Sequence, residues 1–274
     1  MESAIARAIN CQHEPVALLW SDEKPAGSVQ FRPGRWGCVM WLLAAALQGR
    51  TALCDAETVG CPGGGVGMGF GNQYKIFPGS EDCFCYFLST GNSNWAKGRQ
   101  VAEMARPFMS DAVHNAFLTG ERYIKTPEQV RKFIQGLPIT TIPCKYVIFK
   151  PLGEIDGERE IPKVVIFLAD PDQLSALIVL ANYGRDSNEN VVTPFAAGCQ
   201  TIGIYPYEEA LKDLPRAVLG LSDISARLFL RKTIGDNLMT MSLPFPLFEE
   251  MEKNVAGSFL EMDHWQAILK TKRA

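Results

Sequence analysis

Apolar residues in this chain come in short blocks, and their spacing sorts most of them into strands or helices. Residues 163–168 (Lys-Val-Val-Ile-Phe-Leu) are an almost unbroken apolar run, the pattern of a strand in a sheet covered on both faces. Residues 14–20, 51–55, 145–149, 191–195, 216–221 and 238–244 read as further strands. The longest apolar run, 38–47, lies in a stretch (35–48) that predicts a buried helix with Gly49 as its stop. Helical spacing also covers 1–10, 99–118, 126–135, 172–182, 206–213 and 246–256, with a short helix near Trp265. Asp170-Pro171-Asp172 opens the helix over 172–182 and Gly184 closes it. Residues 21–34 read as a polar loop, and 72–98 as loop-rich with aromatic and short strand segments.

Strands alternating with helices predict an α/β protein. Two series share one order: strand, helix with a glycine stop, strand, then Gly60-Cys61 in the first and Gly198-Cys199 in the second. Each series ends in a strand followed by Pro-Leu, at Pro151-Leu152 and Pro246-Leu247. This order predicts two diverged βαβ-containing halves, an internal duplication over 1–152 and 153–274, packed as one unit. Cys61 and Cys199 would then stand at matching places, before helix starts at a strand edge where α/β proteins bind ligands.

Composition narrows the function. Apolar residues make up 47% and charged residues 21%, and the net charge is −3 with Lys and Arg scattered, so no nucleic-acid footprint is visible. The run 38–47 is too short to cross a bilayer, and the first residues lack the pattern of a secretory signal. The expectation is a cytoplasmic protein without membrane or nucleic-acid partners and with a small-molecule ligand. Eight cysteines in such a chain point to buried thiols or a metal site rather than a disulfide framework.

Chemistry concentrates at Cys61. It is followed by Pro62 and by six glycines within residues 62–71. Glycine admits close backbone approach, and amides at a helix start favour a thiolate. Cys61 is therefore a candidate metal ligand or nucleophile, with Gly63 and Gly64 as ligand-contacting backbone. The pattern G-x-G-x-x-G fails in every register from Gly63 to Gly71, and no Gly-Lys-Ser/Thr occurs. A thiol nucleophile needs a base, but no spacing ties His13, His114 or His264 to Cys61, and each reads as a surface or satisfied histidine. Cys83-Phe84-Cys85 would place its thiols on opposite faces of a strand. Trp36, Trp41 and Phe248 read as core.

Several segments together resemble the domain of unknown function 169 family: Glu14-Pro15-Val16-Ala17, Cys38-Val39, Cys61-Pro62-Gly63-Gly64, Gly198-Cys199, Asp223-Ile224-Ser225-Ala226-Arg227 and Met251-Glu252-Lys253-Asn254-Val255. The resemblance implies a protein of anaerobic archaea and bacteria whose recurrent cysteines correspond to Cys38, Cys61 and Cys199. It implies no particular activity.

Three thiolates, Cys38, Cys61 and Cys199, would suffice to hold a [4Fe–4S] cluster with one open iron, although the close spacing of ferredoxin cysteines is absent. Cys54 is a possible fourth ligand, with a strand residue facing the core as the simpler reading. After the strand at 216–221, Ser225 and Arg227 are candidate ligand contacts, Arg227 as a grip for a carboxylate. The alternative is a helix start capped by Asp223 or Ser225. Three functions stay open: an anaerobic enzyme with a cysteine-bound cluster or metal acting on a small anionic substrate, a non-catalytic module binding a small ligand or cofactor between the halves, and a cofactor-independent enzyme with Cys61 as thiol nucleophile.

Overall fold

Alternation along the strands decides which of two cores each side chain joins. In the computed structural model, which describes residues 1–76 and 79–271, seven strands form one sheet. They are β1 (Val16–Ser21), β2 (Ala52–Cys54), β3 (Tyr146–Pro151), β4 (Val164–Ala169), β5 (Val191–Val192), β6 (Ala217–Gly220) and β7 (Met239–Pro244), in spatial order β2-β3-β1-β4-β7-β6-β5. Val16, Leu18, Val147, Phe149, Val164 and Ile166 enter the core on one face. Their neighbours Ala17, Leu19, Ile148, Val165 and Phe167 enter the core on the other. All six residues of β4 are buried, as its apolar run predicts for a strand covered on both sides.

The α-helices are α1 (Ala4–Ala8), α2 (Met40–Leu47), α3 (Pro62–Gly67), α4 (Ser80–Leu88), α5 (Gly98–Ala105), α6 (Asp111–Thr119) and α7 (Pro127–Gln135). After them come α8 (Pro171–Asn182), α9 (Gly198–Ile202), α10 (Ile204–Glu209), α11 (Ile224–Ile234), α12 (Phe245–Lys253) and α13 (Asp263–Thr271). Helices α2, α3, α7, α9, α10 and α11 pack on the first face. Helices α1, α8, α12 and α13 pack on the second.

The protein is a mixed α/β protein, and its sheet departs from the open parallel type. Every neighbouring pair is antiparallel except β5–β6. The two βαβ units are split. Strands β1 and β2 run in the same direction with β3 between them, and β4 and β5 with β7 and β6 between them. The expected segments meet where β1 pairs with β4, from Val16↔Ile166 to Leu18↔Val164. The duplication gains no support here. Strands β1 and β4 are antiparallel, so a repeat related across that junction would place α2 and α8 on the same face, and they lie on opposite faces.

Local signals explain most element ends. Gly49 and Gly184 take positive φ (78° and 84°) at the predicted helix stops. Asp170 and Gln173 form a reciprocal capping box at the start of α8. Pro107 lacks a backbone N–H, and the single helix expected over 99–118 is broken there into α5 and α6. Residues 80–88, expected as loop and strand, form α4, with Glu81 and Asp82 in its first turn. Trp41 is 39% exposed rather than core, and meets Trp36 and Phe229 edge-on, each at 5.5 Å.

Candidate functional site

Helix α3 is short and glycine-rich because it packs main chain to main chain against α9. A Cβ on Gly203 would lie 2.1 Å from the Gly67 oxygen, and one on Gly67 would lie 2.8 Å from both the carbonyl carbon and the Sγ of Cys199. Such contacts exclude any side chain at either position. Gly64 also abuts a neighbour, since its Cβ would stand 2.7 Å from Val39. Gly63 differs. Its nearest neighbours would be Cys61 Sγ and the Tyr74 hydroxyl, both at 3.7 Å, an ordinary contact distance. The glycine run thus does two jobs, tight docking at Gly67 and open space at Gly63.

That open space belongs to a cavity of about 280 Å³ on the first face of the sheet. Cys38, Cys61, Cys199, Gly63, Gly64 and Ser225 all line it. Cys61 is the N-cap residue of α3 with Pro62 at the first helical position, and Cys199 lies in the first turn of α9. Cys199 Sγ donates to the Gly63 oxygen at 3.3 Å. Two thiols 138 positions apart in the chain therefore flank one glycine (199 − 61 = 138).

Burial dominates the thiol chemistry. It raises Cys61, and the Gly63 and Gly64 amides at the helix start offset this only in part. Burial likewise raises Cys38 and lifts Cys199 well above the ordinary thiol value, and the neighbouring thiols add to both shifts. The oriented amides favour a Cys61 thiolate, as expected, and desolvation acts against them. Among the described residues, no group of three or more His, Cys, Asp or Glu side chains is arranged to hold a metal ion. The three thiols line one chamber. Cys54 lies in β2, fully buried, facing the core.

The polar end of the cavity is a hydrogen-bonded group that the sequence did not single out as a unit. Ser225 Oγ donates to Glu121 Oε1 and lies 2.9 Å from the Tyr123 hydroxyl, which also accepts from the Ser225 amide at 3.1 Å. Asp223 caps α11 by accepting from Ala226 N at 3.1 Å, and it also accepts from Gly198 N at 3.2 Å, tying the start of α9 to the start of α11. Burial pushes the Glu121 carboxyl up to about 7, against the smaller opposing effect of the Ser225 hydrogen bond. Eight aromatic side chains complete the lining, with Tyr74 against Phe84 at 4.1 Å and Phe195 between Tyr123 and Phe133 at 6.2 and 6.0 Å. Leu228 (67% exposed) and Phe195 (44% exposed) line the cavity and reach solvent, which places its mouth there.

Arg227 does not join this site. Its guanidinium donates to the carbonyls of Leu238 at 3.0 Å and Asp236 at 2.7 Å, and it lines a separate groove beside α11. These bonds fasten the turn before β7. Among the described residues lining the cavity none is Lys, Arg or His. His114 is buried rather than at the surface, with Nε2 3.7 Å from Glu103 Oε1 and without a hydrogen bond. Cys83 and Cys85 are both buried on α4, while Phe84 between them faces the cavity.

Fold and site together define a mixed α/β protein with a thiol- and aromatic-lined cavity on one face of its sheet. The model of the domain of unknown function 169 family, described as "Uncharacterised ArCR", matches residues 4–254, and the chain belongs to that family. No curated protein and no solved structure matches the chain. Among the described residues no helix is long and apolar enough to cross a membrane.

Proposed function

We propose that the protein binds a small, largely apolar molecule, one ring in size with a modest substituent, in the cavity bounded by α3, α6, α9 and α11. The cavity itself carries this reading. Protein cores close-pack, and gaps of this size are few. An apolar cavity of ~150 Å³ is enough to take up benzene, and this one measures about 280 Å³. Close backbone contacts at Gly67 and Gly203 seat α3 against α9, and both helices contribute lining residues. The anionic substrate expected from the sequence is disfavoured by two carboxyls in the wall and by the engagement of Arg227 elsewhere.

Titration with indole, read as a rise in Tm and by calorimetry, tests the reading. The Gly63→Leu variant projects a side chain into the cavity past Cys61 and Tyr74. Wild type should be stabilised by indole, and the variant should keep its fold and lose the response. Equal responses in both proteins, or none in wild type, would count against the proposal.

A second reading, an enzyme with an iron–sulfur cluster here, is favoured by one observation: Cys38, Cys61 and Cys199 all line this chamber. Anaerobic purification with iron and sulfide analysis separates the readings. Iron retained by wild type and lost in Cys61→Ser supports the cluster, whereas colourless protein that takes up indole supports simple binding.

A further inference from the structure

We infer that the molecule this cavity selects is an organic cation, an ammonium group carried on an apolar or aromatic body, with Glu121 as its counter-ion. The inference rests on the small-molecule reading above. Its first ground is the charge of the wall. The charged side chains lining the cavity, among the described residues, are Glu121 and Asp223, both acidic. An anion brought into this chamber would lose its water and gain no opposite charge.

The second ground is how the two carboxyls are used. Asp223 has both oxygens engaged by backbone amides, so its role is structural. Glu121 has one oxygen held by Ser225, whose hydroxyl is itself positioned by Tyr123. The other Glu121 oxygen has no protein donor among the described residues. The carboxyl is thus fixed in orientation with half its accepting capacity open, beside a cavity that offers no protein cation.

The third ground is the aromatic lining. A cation near aromatic rings is attracted by their negative faces, and desolvated sites strengthen that attraction. Aromatic rings with one carboxylate are the chemistry that recognises ammonium groups, while a neutral apolar ligand would leave the Glu121 carboxyl without a use. Burial, which raises the Glu121 carboxyl to about 7, leaves it a group that a positive partner would favour in its charged form.

The test compares two probes of nearly one shape by calorimetry, phenyltrimethylammonium and tert-butylbenzene. Neither titrates, so the comparison isolates charge. Wild type should bind the cation about tenfold or more tightly than the neutral isostere, as a charge-assisted contact requires. Glu121→Gln should bring the two affinities to within about threefold by weakening the cation alone, the charge being what it removes. Retained tert-butylbenzene binding shows that the variant is folded, and Glu121→Asp, which keeps the charge, should keep a preference for the cation. If wild type binds the neutral probe as tightly as the cation, the cation inference is overturned while the small-molecule reading stands. If it binds neither, both fall. A cation preference that survives Glu121→Gln overturns the role given to Glu121.

Discussion

The two faces of the sheet are built by opposite rules. On the second face, α8 and α12 bring Leu177, Leu247 and Phe248 onto Phe167 and Leu243, all of them buried, and α8 starts in a capping box. Those side chains form one buried apolar cluster. On the first face, α3 and α9 touch through glycine backbone, Asp223 ties the start of α9 to the start of α11, and a chamber of about 280 Å³ remains beside them. Side-chain volume stabilises one face. On the other, helices meet through backbone beside a space, and the thiols, the buried carboxyl and the rings gather around that space.

Several substitutions would break or sharpen this contrast. The largest effect is expected at Gly203→Ala, whose Cβ would strike the Gly67 oxygen; urea unfolding should show a loss of ~3 kcal/mol or more, or no folded protein. Next, Phe167→Ala on the solid face should cost ~3–5 kcal/mol by the same measurement, because the removed ring leaves a hole in a filled core. Phe84→Ala, beside existing space, should cost less, about 1–2 kcal/mol. Equal losses at the two phenylalanines would erase the distinction between the faces.

A smaller effect follows from Glu121. Its carboxyl is raised from 4.5 to about 7 in the folded protein. The unfolded chain therefore releases this proton at lower pH than the folded one, and stability falls as pH rises from about 4.5 to about 7. The full loss, on the order of 2–3 kcal/mol, is present above that range and absent below it. Glu121→Gln should flatten this part of the stability–pH curve and leave the protein more stable than wild type at pH 8. The smallest effect is at Gly63→Ala, where a Cβ meets only ordinary contacts inside a helix; a gain of ~0.5–1 kcal/mol is expected from the lost backbone freedom of the unfolded chain.

Much of the sheet was legible because apolar runs report burial directly. The run at β4 and the glycine stops at 49 and 184 are local signals, and each led to the right element. Strand direction was not legible. It is set by which strands become neighbours, and the insertion of β3 between β1 and β2 leaves no mark in either strand. Helix α11 was visible only through its cap, because Arg231 and Lys232 and the exposed Ile224 and Leu228 blur its apolar stripe. At the site, the association of Cys61 with Cys199 was readable, since each follows a glycine near a helix start. Glu121 was not, because it follows Gly120 in a connecting stretch and acquires its role only when the start of α11 brings Ser225 to it. The surroundings of Arg227 were hidden for a related reason: a guanidinium next to a cap serves a carboxylate ligand and a backbone turn equally well, and only the fold brings the carbonyls of 236 and 238 to it.

Xenon binding to crystals of the protein under pressure tests the difference between the faces most directly, because xenon enters apolar space and ignores charge. The predicted result is xenon density beside Cys61, Tyr74 and Phe84 on the first face and none among Phe167, Leu177 and Leu247 on the second. Density on the second face with none beside Cys61 would contradict the account.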